Sequence, residues 1–418
     1  MFFFFFLYLV ALAQGGHTHC VQAFGADQFD EEHKKECKAK SSFFNWWYCL
    51  TCGGLLVPLL VLTYIQENLG WVLGFGIPAI VMCFTLIVFL VGTHTYRFRV
   101  SKDGRNPFVR ISRVFVKAAK YWRAAPVALS VDEEALAILS KESTQFKFLD
   151  KALIAPHDVS IEDRKFCSIG DVEDAKSILR LVPIWFTALG YSIVYAQPLT
   201  LFTKQATTMD RHFISRFEVP AASLQQYFIL VTLIVFIPIY DRVFVPIARA
   251  ITKKPSGISM VQRIGIGLFL SLVSIVFAAF VERMRFATAI EYGLVDKPNV
   301  MIPMCWLAPQ YVLARIADVF AMIGLQEFFY EQVSCDLKSI GLAMYLSILG
   351  IGSLLSSFLV SLIENVTTRH GHDGWFADNF NRAHLDYFYW LLTGIGVLGL
   401  AAYIYFARSY VYRRRSYA

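Results

Sequence analysis

The sequence predicts an all-α polytopic membrane protein with about nine transmembrane helices, three before one long polar segment and six after it. Three observations carry that expectation. Hydrophobic residues make up 56% of the 418 positions and aromatic residues 16%, whereas charged residues make up only 17%, against roughly 25% in soluble domains. The apolar residues gather in blocks of about 20, the length a helix needs to cross some 30 Å of hydrocarbon. Lys and Arg collect between the blocks, where they orient helices in a bilayer, so the net charge of +7 implies no nucleic-acid partner.

The blocks fall at 2–24, 43–65 and 71–94, then at 179–203, 223–247, 261–282, 306–330, 340–363 and 387–408. Residues 1–94 thus form a three-span N-terminal bundle, 95–178 a central loop, 179–410 a six-span C-terminal bundle and 411–418 a basic tail. Within the loop, "NPFVRISRVFVKAAKYWRA" sets Val109, Ile111, Val114, Phe115 and Ala118 near one face and Arg110, Arg113, Lys117, Lys120 and Arg123 on the other. That pattern is a basic amphipathic helix lying on the inner leaflet, or else packed on the loop's own domain. Next, "SVDEEALAILSKES" reads as a helix start, with Ser130 before acidic first-turn residues.

The central loop, the segment with Arg249, Lys253 and Lys254, and the tail with Arg413, Arg414 and Arg415 fall on one side of the membrane by span count. The positive-inside bias makes that side cytoplasmic. The sequon Asn365-Val366-Thr367 then borders the opposite side. A competing reading of the opening takes residues 2–13, ending Ala11-Leu12-Ala13, as a signal peptide without a basic n-region. Eight scattered cysteines show no metal-ligand spacing. His17-x-His19-Cys20 and His370-x-His372-Asp373 lack third and fourth ligands at usual spacing, so no metal or other cofactor is expected; His17 could instead titrate near neutral pH.

Several stretches, in order, resemble the plant nitrate and peptide transporter family, a branch of the proton-dependent oligopeptide transporters of the major facilitator superfamily. They are "GGHTHCVQAFGADQFDEE", "SFFNWWY", "NLGWVLGFGIPA", "LFTKQATTMDR", "YDRVFVPIAR", "PQYVLARIADVF", "GLQEFFYEQV", "SIGLAMYLS" and "NFNRAHLDYFYWLL". The resemblance covers nearly the whole chain and implies the major facilitator fold, with twelve spans of which the first three have no counterpart here. The Gly15-Gly16 run would then lie on the inner half of a cavity-lining helix, glycines allowing close helix approach. Family members often carry a substrate-binding lysine where this chain has Thr18, and their Glu-x-x-Glu-Arg coupling motif belongs to the first span.

Candidate site residues follow. Arg315 and Asp318 sit three apart near the middle of a span, so they share one face, and ionisable groups at that depth line a cavity or pair with each other. The resemblance implies an acid here that contacts substrate or gating partners, usually glutamate. Glu327, nine residues on, points to the opposite face and reads as a packing or cytoplasmic gate acid. Tyr195 and Gln197 offer hydrogen bonds to a polar substrate, although Pro198 could simply kink the helix there. Tyr48 matches a cavity-facing family tyrosine, and Cys52 stands where many members have asparagine. Asp241-Arg242 with Arg249 resembles the superfamily's gate motif between adjacent spans.

These residues imply a secondary active transporter moving a small polar or anionic solute, such as nitrate or a di- or tripeptide, with protons by alternating access, its cavity between the two bundles. Plasma and vacuolar membranes both suit it. An alternative is a truncated or incomplete family member that does not transport. A membrane-embedded enzyme would need clustered catalytic groups near the interface, which the sequence does not offer.

Overall fold

The computed structural model describes residues 2–29, 34–57, 61–62, 65, 69–97, 107–122, 146–153, 168–198, 200–210, 212–214, 217–218, 228, 232, 235–252, 258–295, 300–368, 374–376 and 383–410. The first bundle is α1 (Phe2–Asp27), α2 (Lys34–Val57) and α3 (Trp71–Val91). The loop helix α4 (Pro107–Lys120) follows, then α5 (Ile169–Tyr195) and the short α6 (Leu201–Thr207). A π-helical turn, Tyr240–Phe244, leads into α7 (Val245–Thr252), and the long helices α8 (Met260–Glu291), α9 (Ala308–Glu331), α10 (Lys338–Thr367) and α11 (Leu385–Arg408) complete the chain.

Local sequence explains where the long helices start. Ser168 and Asp171 form a capping box at α5, and Ser259 and Gln262 form another at α8, each satisfying orphan N-terminal donors. These two caps, with the 3-10 turn Cys335–Leu337 between α9 and α10, mark one end of the bundle, here termed the loop end. At the other end β1 (Met209–Asp210) pairs in parallel with the segment Val300–Pro303.

Among the described residues six helices are long and apolar enough to cross a membrane: α1, α3, α5, α8, α10 and α11. The blocks expected at 43–65 and 306–330 are also helical, as α2 and α9, but α2 opens on Lys34, Lys35, Glu36, Lys38 and Lys40, and α9 carries Arg315, Asp318, Glu327 and Glu331. In the block at 223–247 the described residues, 228, 232 and 235–247, are all helical, passing through the π-helical turn Tyr240–Phe244. Several boundaries differ from the apolar pattern: α2 begins at Lys34 rather than 43, α5 begins at Ile169 rather than 179 and α8 continues to Glu291 rather than 282, each running past its apolar block into charged turns, while α5 ends at Tyr195 rather than 203, before the turn at Pro198. At 1.5 Å per residue the 32 residues of α8 reach about 48 Å.

The core lies where the long helices pack on one another, and large aliphatic and aromatic side chains fill it. α8 packs along α9 and α11, while α5 packs on α10 and α11. At the loop end, Leu181, Ile184, Ile264, Leu268, Leu325 and Phe328 share one buried cluster. Toward the other end Phe202, Ile275, Tyr311, Phe388 and Tyr389 form a second. A third joins the two bundles, with Ala23, Ala26 and Phe44 against Ile237, Val319, Ile323, Tyr330 and Leu342. By contrast, α3 buries only Gly74, leaving an apolar surface that water does not tolerate.

Gly267 sets the α8–α9 approach, since an ideal Cβ there would stand 2.7 Å from Ala321 Cα. Gly267→Leu is expected to destabilise the protein by about 1–3 kcal/mol or more through overpacking. Gly350→Ala on α10, with nothing within 4 Å of its Cβ position, is expected to be neutral or stabilising by about 0.5–1 kcal/mol. Thermal unfolding of the two variants in the same detergent checks both; equal midpoints would contradict the close-packing account.

The loop helix packs within its own segment and on the foot of α5: Ile111, Val114 and Ala118 are buried in the same cluster as Leu149 and Ala152 of the loop and Val172 and Ala175 of α5. The segment containing Ser130 lies outside the described residues.

Candidate functional site

Arg315 and Asp318 meet across one turn of α9, with Arg315 Nη1 2.9 Å from Asp318 Oδ2 and side-chain exposures of 7% and 5%. Tyr191 of α5 donates its hydroxyl to Asp318 Oδ1 at 2.7 Å. The i, i+3 spacing puts both charges on one face, and the Tyr191 bond fixes the carboxylate against a neighbouring helix. Arg315 Nε has no hydrogen-bond partner among the described residues.

A narrow cleft opens beside this pair. It is lined by Tyr191, Tyr195, Phe202, Ser271, Ser274 and Asp318, among others, and its free volume of about 10 Å³ is close to what a single water needs. Every lining residue comes from α5, α6, α8, α9 or the α5–α6 turn. The sequence reading put the cavity between the two bundles, so the cleft differs from that expectation. Tyr48 of α2 and Tyr195 nevertheless both stand within electrostatic range of Arg315, which brings the first bundle up to the same charge. Gln197 is fully buried beyond the end of α5. Its amide donates to Ile193 O at 2.8 Å and Ser356 Oγ at 3.0 Å, so its N–H groups serve the α5–α10 contact, and Oε1 has no partner among the described residues.

At the loop end, two polar networks tie the bundles together. In the first, Arg263 of α8 reaches Glu327 Oε2 at 3.3 Å and donates to Asn45 Oδ1 of α2 at 2.8 Å, its guanidinium 4.8 Å from the Tyr240 ring centre. Asn45 Nδ2 in turn donates to Asp241 Oδ1 at 3.1 Å, and Ser42 Oγ donates to the same carboxylate at 3.2 Å. In the second, Asp27 at the end of α1 accepts from Tyr330 at 2.7 Å and from Lys338 at 3.2 Å. Buried polar groups need such partners, and here Asn45, Ser42 and Asp27 find theirs in the opposite bundle.

Thus Asp318, Arg315 and Tyr195 come together, with Tyr48 close by, while Glu327 and Asp241 join in the loop-end network. Arg242 is exposed and Arg249 is half-buried on α7, and neither has a described contact with Asn45 or Glu327. Thr18 lies on α1, but its side chain is outside the described ones, as is that of Cys52. Lys253, Lys254, His370, His372 and Arg413 to Arg415 lie outside the described residues altogether. Sequence reasoning missed Arg263, Asn45, Ser42, Asp27, Tyr330 and Lys338. It also missed a fully buried pair on α8, Arg285 with Glu282 at 2.6 Å, although their i, i+3 spacing inside an apolar helix was the same signal that marked Arg315 and Asp318.

Comparison with known proteins gives this arrangement a context. The family model described as the POT family matches residues 1–376. The chain is 56% identical to protein NRT1/PTR FAMILY 5.10 of Arabidopsis thaliana over 415 residues, which cover 99% of this chain and 73% of that protein. It is 52% identical to NRT1/PTR FAMILY 5.12 of the same plant, over 98% of this chain and 72% of that one. The fold is similar to the crystal structure of an auto-inhibited POT family peptide transporter, with a TM-score of 0.63 and 19% identity over 98% of this chain and 78% of that one. It is also similar to the POT family transporter PepTSo, with a TM-score of 0.55 and 18% identity over 93% and 75% of the two chains. These likenesses bear out the major facilitator fold class expected from sequence. This integral membrane protein is therefore a transporter rather than an enzyme, and it belongs to the POT family.

Proposed function

We propose that the chain carries a small anionic or polar solute together with a proton, and that Asp318 takes the proton. The observation that carries this reading is the Arg315–Asp318 pair, two opposite charges already satisfied by each other, of which Asp318 lines the cleft. Protonation of Asp318 removes its charge and releases Arg315 to an anionic group of the solute. Breaking a buried pair without replacing the lost partner costs about 3–5 kcal/mol, which suppresses proton loading without solute by roughly two to four orders of magnitude. Proton and anion therefore load together.

Tyr195 and Tyr48 supply hydroxyl groups near the same charge, suited to orienting a polar solute. Gln197 acts through the α5–α10 contact, and Thr18 leaves its helix without a second cation at that position. Nitrate, a di- or tripeptide and a related organic anion all fit the charge requirement, the peptide through its terminal carboxylate. The networks at Asp27–Lys338 and Asn45–Asp241–Arg263–Glu327 close one end of the pathway, with Arg242 and Arg249 flanking. We assign that end, together with the central loop 95–178 and the tail 411–418, to the cytoplasm, on the strength of its basic residues. Residues 1–94 and 179–410 then act as the two rocking bundles.

The full chain reconstituted in vesicles tests the reading. An imposed proton gradient is expected to drive accumulation of labelled nitrate or labelled dialanine above equilibrium, and collapse of the gradient by a protonophore to abolish it. Uptake of either probe that equilibrates without regard to the gradient would exclude proton coupling.

A further inference from the structure

The loop helix is fastened to the bundle by more than its apolar face. Arg110, at 9% side-chain exposure, has three carboxylates around its guanidinium: Asp171 at 2.9 Å, Asp174 at 2.8 Å and Asp336 at 3.5 Å. The first two belong to the opening turns of α5, and Asp171 is also the capping-box residue that accepts from Ser168 N at 2.8 Å. The third lies on the Cys335–Leu337 turn between α9 and α10. One side chain of the loop therefore spans from α4 to two separate places in the C-terminal bundle. A second tie, from fully buried Lys176 of α5 to Asp150 at 2.7 Å and Glu173 at 2.9 Å, fixes the rest of the described loop to α5 alone.

The place of Asp336 gives the Arg110 contact its significance. Two residues further on, Lys338 crosses to Asp27 of α1 at 3.2 Å. The turn between them is short and stiff: Leu337 is fully buried and its N–H donates to Ser334 O at 3.0 Å. Any displacement of Asp336 therefore moves Lys338. We infer that Arg110 is a positioning residue for transport, holding the α9–α10 turn so that Lys338 meets Asp27, and that the loop helix thereby biases the loop end toward its closed arrangement. Without Arg110 the bridge from Asp336 to Asp171 and Asp174 is lost, and the like charges of these carboxylates disfavour keeping the turn beside α5. The inference rests on reading the loop-end contacts as a gate.

The test uses the full chain in lipid nanodiscs, spin-labelled at exposed Ala39 on α2 and exposed Ser339 on α10 after replacement of the native cysteines. Pulsed dipolar spectroscopy gives the closed and open populations. Hydrogen exchange across 107–120 reports separately whether α4 stays docked. Arg110→Gln is expected to raise the open-to-closed ratio about twofold to fivefold, the range for partly exposed ion pairs, with Arg110→Lys retaining most of the closed population. Asp336→Asn, at an exposed position that leaves α4 docked, is expected to shift the ratio in the same direction by a smaller factor. Unchanged distances in Arg110→Gln and Asp336→Asn, with two populations seen in the parent, would overturn the inference and leave the gate reading intact. A single population in every variant and in the parent, with or without a proton gradient, would overturn the gate reading and this inference with it.

Discussion

Asp318→Asn is expected to abolish solute accumulation driven by a proton gradient while leaving exchange of labelled for unlabelled solute measurable. Asparagine keeps an acceptor for the Tyr191 hydroxyl, 2.7 Å from the carboxylate in the parent, so the geometry of the cleft wall survives. It cannot release a proton, so Arg315 is permanently free of its counter-ion and the solute's anionic group is bound without proton transfer. The same substitution leaves a buried guanidinium uncompensated and is expected to cost about 3–5 kcal/mol of stability. The double variant Arg315→Gln with Asp318→Asn removes both charges and is expected to recover most of that loss, because replacing both members of a buried pair is often near neutral. It should nonetheless transport neither with nor without a gradient. Stability and transport thus separate in the double variant. Gradient-driven accumulation in the single variant, measured in vesicles beside the parent, would remove Asp318 from the proton path.

Much of the fold was legible because a bilayer imposes a simple rule. Helices such as α3, α10 and α11 are apolar over the length needed to cross hydrocarbon, and their boundaries follow from the sequence within a few residues. Helix α9 was located by the same rule because its charges are few and spaced, and α2 because its charges gather in the first two turns, ahead of the apolar block. The loop helix shows the limit of the rule. Its amphipathic pattern marks a buried face but not what buries it, and the decisive contact came from Arg110, which the pattern places on the polar side. For the site, Arg315 and Asp318 were legible since two opposite charges one turn apart in an apolar helix have few explanations. The partners of those charges were not. Tyr191 lies 127 positions from Asp318, and Asn45 lies 218 positions from Arg263. Neither has a feature of its own in the sequence that names its partner, because such pairings depend on which helices become neighbours.

Arg263→Gln is expected to shift the loop end from closed toward open. Arg263 makes a hydrogen bond to Asn45 across the bundle interface at 2.8 Å, an ion contact with Glu327 at 3.3 Å and a face contact with the Tyr240 ring at 4.8 Å. Hydrogen bonds to charged groups are worth about 1.5–3 kcal/mol each, and of these contacts only the Asn45 bond crosses between the bundles, so its loss withdraws about 1.5–3 kcal/mol from the closed arrangement. That shifts the open-to-closed ratio by about tenfold to a hundredfold, short of the roughly 5.5 kcal/mol that takes a two-state equilibrium from 1:99 to 99:1. The expected effect of Arg110 is far smaller because its reach to the gate runs through exposed Asp336. Cys49, one turn beyond Asn45 on α2 and half-buried against the cluster that joins the bundles, reports the change. Its modification by a membrane-impermeant maleimide, read at the peptide level, should accelerate by about tenfold or more in Arg263→Gln. The Asn45→Ala variant loses both the Arg263 and the Asp241 bonds and should react at least as fast, although Ser42 still donates to Asp241 at 3.2 Å. The double variant then distinguishes a connected network from two separate contacts: coupled residues give less than the sum of the single effects. Modification of Cys49 at the parental rate in all three variants would mean that Arg263 supports the packing of α8 on α9 and plays no part in closing the pathway.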